Sequence, residues 1–192
     1  MENPKLHLVN RLLEYRKKKR RELGAISKSS PVNRYCKKGN SNLFEKGTEF
    51  ESFVVKLFNP EYFTLIEWRS DKSIDGIFPI MSKFPDLEFY FESKTENLQF
   101  AVECKWREHF YQEGIELDKF QLENYRHYEQ VMQTPTFIVI GIGDTPSHPR
   151  NVYLLPLREI TKEHLHEYEL EVYLRRQAYD KIFLDCQRLI LK

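Results

Sequence analysis

The chain has 192 residues, 41% hydrophobic, 14% aromatic and 31% charged, enough apolar mass for one packed domain and too much for a disordered chain. No run approaches the roughly 18 apolar residues of a membrane span, and the basic N-terminus lacks the apolar stretch of a secretory signal, so a cytoplasmic location without a membrane partner is expected. The net charge of +1 divides unevenly: residues 1–40 hold 12 Lys/Arg against 3 Asp/Glu, a balance of +9, and the remainder carries −8, which predicts a basic arm on an acidic body.

Leu6 to Tyr15 has apolar residues at helical spacing and runs into Arg16, Lys17, Lys18, Lys19, Arg20 and Arg21. This predicts a basic amphipathic helix, ended by Gly24 and followed by a Ser/Lys/Asn/Gly linker. Residues 1–42 are read as that helix and linker, and 43–192 as an α/β domain. Phe50, Phe53, Val54 and Leu57 share one face of a helix expected to start near Gly47 and to stop at Asn59-Pro60. Strand character follows at Phe63–Trp68, Leu87–Glu92 and Phe100–Arg107. A helix is expected over Leu117–Met132, its apolar face built from Phe120, Tyr125, Tyr128 and Val131 or Met132. Thr136–Gly143 reads as a buried strand by its β-branched content, Asn151–Leu157 as another, and the tail from Ile160 as mostly helix. Helix, three strands, helix, two strands describes a sandwich with a mixed central sheet. Trp68 and Trp106 are expected to pack in that sheet.

The chemistry concentrates at Glu103-Cys104-Lys105. On a strand, residues two apart share a face, so Glu103 and Lys105 point together while Val102, Cys104 and Trp106 point the other way. Charges on an otherwise apolar strand are costly unless they are paired or bind a metal. The pattern acid-x-Lys occurs twice, the other copy being Glu92-Ser93-Lys94. Pro85-Asp86 precedes Glu103 by a hairpin's length, so Asp86 can stand beside it; Asp75 precedes Glu92 by the same interval, a rival set. Context favours Asp86, Glu103 and Lys105, because two carboxylates meeting in this way make a hard-oxygen site suited to Mg²⁺. The three cysteines, Cys36, Cys104 and Cys186, are odd in number and free of C-x-x-C spacing, which argues against a disulfide framework or a zinc site. The histidines are scattered without a ligand pattern.

Pro85-Asp86 followed by Glu103-Cys104-Lys105 resembles the PD-(D/E)XK nuclease superfamily, the restriction-endonuclease-like fold. Gly47-Thr-Glu-Phe-Glu51 is similar to the first-helix motif of its resolvase-like and Mrr-like branches, and Gln121-Leu-Glu-Asn-Tyr125 to the Q-x-x-x-Y motif of its RecB-like and Cas4-like branches. The resemblance implies an αβββαβ core and a Mg²⁺-dependent deoxyribonuclease, endonuclease action being favoured, with Mn²⁺ able to substitute. Asp86, Glu103 and the backbone carbonyl of Cys104 would hold metal, with Glu51 assisting. Lys105 would orient water or stabilise developing charge, Gln121 and Tyr125 would position the strand or Lys105, and Arg107 with the Arg16–Arg21 run would contact DNA phosphates. Specificity would come from loops, the arm, a partner protein or a homodimer.

Each residue also has a plainer reading. Glu103 and Lys105 can be a cross-strand ion pair, Glu51 a carboxylate favoured near a helix start beside the equally acidic Glu49, Gln121 a polar surface residue and Tyr125 a core aromatic. A catalytically inactive nucleic-acid-binding or assembly module of the same fold is the alternative function, and a structural α/β domain with fortuitous acids a third.

Overall fold

The computed structural model describes residues 41–69 and 84–192. The expected basic helix with Arg16–Arg21, the linker after it and the rival acid Asp75 lie outside the described residues. Helix α1 spans Ser41–Leu57. Strands β1 (Phe63–Trp68), β2 (Leu87–Glu92), β3 (Asn97–Arg107) and a short β4 (Gly114–Glu116) follow, then helix α2 (Lys119–Met132) and strands β5 (Thr136–Ile142) and β6 (Asn151–Pro156). Apart from the brief β4, this is the expected order of helix, three strands, helix and two strands.

The five long strands form one mixed sheet in the order β1-β2-β3-β5-β6. Every neighbouring pair is antiparallel except β3 and β5, which are parallel. Parallel neighbours need a crossover, and α2 lies in the segment that supplies it. Strand alternation then divides the molecule into layers. Phe89, Phe100, Val102, Phe137, Val139, Val152 and Leu154 face α1, where they bury Phe50, Phe53, Val54 and Leu57. Ile138, Ile140, Ile142, Tyr153 and Leu155 face α2 and cover Leu122 and Tyr125, while Tyr128 and Met132 close over Ala101. Each fully buried side chain of this size stabilises by about 1.5–3 kcal/mol. The α1 layer sits so close that a Cβ on Gly141 would lie 2.3 Å from the Phe50 ring, so glycine at that point of β5 is a packing requirement.

Four expectations are corrected. Helix α1 begins at Ser41 rather than near Gly47. Open space surrounds the position a Gly47 Cβ would take, so this glycine weakens the helix by about 1 kcal/mol without ending it, and the buried stripe from Phe50 onward outweighs that. Strand β3 begins at Asn97 rather than Phe100, because Asn97, Leu98 and Gln99 continue the ladder with Glu92, Phe91 and Tyr90. Phe120 does not join the apolar face of α2 and is 57% exposed; it stands two positions from Leu122, about 200° around a helix of roughly 3.6 residues per turn. The tail is not mostly helical. Its α-helical content is a single short helix, α3 (Glu167–Leu170), beside a 3-10 turn at Glu171–Tyr173 and three short strands, β7 (His164–His166), β8 (Leu184–Asp185) and β9 (Ile190–Leu191), and the remainder is turns and irregular chain. Tertiary pairing overrides helix propensity here. β7 pairs with β4, β8 pairs with β9, and Ile182 N–H donates to Leu57 O at 2.8 Å, anchoring the tail to the end of α1. Among the described residues, no helix is long and apolar enough to cross a membrane.

Candidate active site

The hairpin of β2 and β3 aligns Leu87 with Val102 and Glu88 with Ala101, which leaves Asp86, just before β2, opposite Glu103. Here the chain has left the β2 ladder, so the backbone N–H of Cys104 finds the Asp86 side chain and donates to its Oδ2 at 2.8 Å. The N–H and C=O of one residue leave a strand on the same side, so the Cys104 carbonyl is turned to that same edge. Asp86 is 8% exposed and Glu103 3%. Two carboxylates are therefore brought together with little water, as their hairpin spacing in the sequence predicts.

Lys105 shares the face of Glu103, as strand parity requires. Its Nζ lies 2.5 Å from Glu103 Oε1 and donates to Gln121 Oε1 at 2.9 Å. Gln121 is delivered by the start of α2: Asp118 caps the helix and its Oδ1 accepts from Gln121 N–H at 2.9 Å, fixing the first turn. Gln121 and Lys105, on separate elements, are thus tied by the cap of one and the parity of the other. Tyr125, one turn further on, is 3% exposed among the apolar side chains of the α2 layer, the place of a core aromatic. Arg107 continues the Lys105 face at the exposed end of β3, where its Nη1 donates to Trp106 O at 2.9 Å.

Glu51 approaches from α1, on the other side of the sheet. Its Oε2 accepts a short hydrogen bond from Trp68 Nε1, and its charge reaches both Asp86 and Cys104. Trp68 does not pack inside the sheet as expected. It is 42% exposed because it ends β1, where the sheet has an edge, and an indole N–H beside a carboxylate is satisfied there. Trp106 does pack, half-buried against the α1 layer, with its Nε1 donating to Gly143 O at 3.3 Å.

The electrostatics are those of a largely buried acid cluster with a lysine among the acids. Burial pushes the Asp86 carboxyl well above its ordinary range; Glu103 pushes further, Lys105 opposes, Glu51 adds to the rise and the Cys104 N–H opposes. Burial lowers Lys105, but Glu103 and Asp86 more than reverse this, and its proton is held more tightly than usual. The Cys104 thiol is pushed well up, first by burial and then by Asp86, Glu51 and Glu103, and it packs against the α1 layer, on the face opposite Glu103 and Lys105. Glu103 Oε2 is buried without a hydrogen-bond partner. Such an orphaned acceptor costs about 1–3 kcal/mol, more when charged, and a hard cation would offset that cost. Among the described residues no three His, Cys, Asp or Glu side chains are gathered as a ready-made metal cage: Lys105 is drawn onto Glu103, and Glu51 onto Trp68. The donor set nonetheless suits Mg²⁺, an ion that keeps several waters and takes only one or two protein carboxylates.

The alternative acid-x-Lys copy lies at the far end of the same hairpin. Glu92 pairs with Asn97 beside the turn, and Lys94 is exposed. The sequence does not single out Arg69, which the structure buries next to Asp86. The signal available for it is slight: a charged residue directly after a strand, in Glu67-Trp68-Arg69.

No family model matches the sequence, and no curated protein matches it. Among solved structures the chain is similar to Hjc, a Holliday junction resolvase from the archaeal hyperthermophile Archaeoglobus fulgidus, at 14% sequence identity and a TM-score of 0.47, over 66% of this chain and 93% of that one.

Proposed function

We propose that the protein is a metal-dependent nuclease that hydrolyses DNA phosphodiester bonds at the site formed by Asp86, Glu103 and Lys105. The observation that carries this reading is the buried, unpartnered Oε2 of Glu103, in a pocket where the neighbouring Asp86 is already driven to hold its proton. Asp86, Glu103 and the Cys104 carbonyl would hold Mg²⁺ or Mn²⁺, with Glu51 reaching it once released from Trp68. When bound, such an ion polarises a phosphoryl oxygen and makes an attacking water more acidic.

The protein's own groups do the rest. Lys105, its ammonium held between Glu103 and Gln121, presents a fixed positive charge to the oxygens on which negative charge develops, so no reorganisation is needed when the reaction occurs. Gln121 keeps that ammonium aimed from the α2 side, and Tyr125 packs the helix that carries Gln121. Arg107, at the open end of the same strand face, would contact a neighbouring phosphate, and the Arg16–Arg21 run would add sequence-independent attraction to the polyanion. Such attraction offsets the repulsion that the −8 balance of residues 41–192 exerts on DNA.

The test is incubation of the purified protein with plasmid, linear duplex and single-stranded DNA in EDTA, Mg²⁺ or Mn²⁺, beside Glu103→Ala and Lys105→Ala. Metal-dependent cutting that both substitutions abolish is the expected result, and nicking of closed circles would identify endonuclease action. Salt-sensitive binding without cutting under every condition would instead favour the inactive nucleic-acid-binding module.

A further inference from the structure

Behind the site lies a second charged cluster, more deeply buried than the first. Arg69, directly after β1, is 5% exposed, and Glu88 and Tyr128 are both fully buried. Arg69 Nη2 lies 2.7 Å from Glu88 Oε2 and 2.8 Å from Glu67 Oε2, and the Tyr128 hydroxyl donates a short hydrogen bond to Glu88 Oε1. The guanidinium also stands 5.8 Å from the Phe84 ring centroid and 5.5 Å from that of Tyr128. A buried ion pair of this kind is weak as a device for stability, because desolvation of the two charges cancels much of their attraction. Its geometry suggests another purpose.

Two further bonds from Arg69 reach the chain on either side of the Asp86 Cα. Nη1 donates to Pro85 O at 2.6 Å, and the backbone N–H donates to Asp86 O at 2.7 Å. Those carbonyls belong to the two peptide planes that meet at Asp86, so together they set its φ and ψ. The same guanidinium binds Glu88, two positions on, and so brackets Asp86 between Pro85 and Glu88. A planar fork presents its donors at fixed, separated positions to a carbonyl and two carboxylates, whereas a lysine ammonium is a compact point charge on a flexible stem. Tyr128, which completes the cluster, comes from α2, the helix whose first turn holds Gln121 against Lys105. One helix thus braces both halves of the site.

We infer that Arg69 is a positioning residue that presents the Asp86 carboxylate to the metal, with Glu88 and Tyr128 fixing the guanidinium in turn. The inference rests on the nuclease reading. Groups that orient a metal ligand commonly change metal affinity by about 10–100-fold when replaced, whereas groups that only stabilise the fold leave the affinity of the folded protein unchanged.

The test is Mn²⁺ binding to the full chain without DNA, followed by electron paramagnetic resonance or calorimetry well below each variant's unfolding temperature, with kcat and KM measured separately. Arg69→Lys is expected to bind Mn²⁺ about tenfold more weakly than wild type and to lower kcat while KM for DNA stays level. Arg69→Met combined with Glu88→Gln removes both charges of the buried pair and keeps the stem packing, so it tests the same point should the lysine variant fail to fold. Wild-type Mn²⁺ affinity in folded Arg69→Lys or in the double variant, whatever their melting temperatures, would overturn the inference. If wild type itself shows no Mn²⁺ binding that Glu103→Ala removes, the nuclease reading fails before any Arg69 variant is compared, and this inference falls with it.

Discussion

One hairpin carries the same acid-x-Lys pattern at both of its ends, and the two copies have met different fates. Glu92-Ser93-Lys94 lies at the turn, where Ser93 Oγ accepts from Glu96 N–H at 3.1 Å and donates to Glu96 O at 3.2 Å, and Lys94 faces water. Its chemistry is that of a polar turn. Glu103-Cys104-Lys105 lies further along, in the middle of the sheet, with a strand on one side, a departing chain on the other and a helix above. There Glu103 is buried and Lys105 half-buried, Asp86 stands beside them, and the ammonium is held against Gln121. The difference teaches that the tripeptide has no chemistry of its own: desolvation and the company of a second acid supply it.

The sharpest way to break the comparison is by substitution at both ends. Glu103→Ala or Lys105→Ala is expected to lower the cleavage rate by at least about 10²–10³-fold, the scale on which single preorganised electrostatic groups act, while Glu92→Ala and Lys94→Ala leave it within about twofold, as surface changes distant from the site should. Comparable losses at both ends in a plasmid-cleavage assay would erase the distinction between them.

Next in size is Gln121→Leu. The hydrogen bond to the Lys105 ammonium is charge-assisted, a class with a net contribution of about 1.5–3 kcal/mol, and its loss should lower kcat about 10–100-fold without changing KM for DNA. An unchanged kcat would reduce Gln121 to a surface amide.

A smaller effect concerns stability and pH in the metal-free protein. Folding raises the proton affinity of Asp86, so the folded state holds this proton more firmly than the unfolded one. Stability from this group is therefore greatest below the ordinary carboxylate range and falls as pH rises through the raised value of the folded state. Asp86→Asn keeps an oxygen for the Cys104 N–H and removes the charge. It is expected to raise the melting temperature near neutral pH by a few degrees, on the order of 2–4 °C per kcal/mol for a chain of this size, with the gain shrinking on acidification into the carboxylate range. Calorimetry across that range checks it, and a gain that grew on acidification would contradict the sign.

The smallest effect is the response to Mg²⁺. Binding to the folded state alone raises the melting temperature with ligand concentration. Wild type should show this rise more strongly as pH increases and Asp86 loses its proton, and Glu103→Gln should show little of it. Equal shifts in both proteins would place the ion elsewhere.

Much of this is legible in the chain itself. The limits of β1 and β2 agree with the sequence residue for residue, and β5 and β6 to within one position, because period-2 patterning and turn residues at the borders are local signals. The layer assignment of Glu103 and Lys105 follows from strand parity, and the pairing of Asp86 with Glu103 from the length of a hairpin. The tail is not legible in this way, because its apolar positions are satisfied by partners distant in the sequence: β7 adds to β4, and Ile182 bridges to Phe58 at the end of α1. Helix propensity cannot register either. Phe120 misleads because an aromatic beside a buried stripe looks like a member of it until the helix is docked.

By itself the sequence determined which residue types were available and how they alternate: two acids a hairpin apart, a lysine in phase with one of them, and a glutamine in the first turn of the following helix. Those follow from covalent order and the fixed periods of strand and helix, which act over a short stretch of chain. Tertiary structure alone decided that Glu103 Oε2 would be buried without a partner, that Trp68 would hold Glu51, and that Arg69 would grip the peptide planes around Asp86. Each depends on groups brought together from separate elements as the core packs, and the cost of burying charge, which makes the site chemically distinct from the turn at the hairpin's other end, exists only once that packing has excluded water.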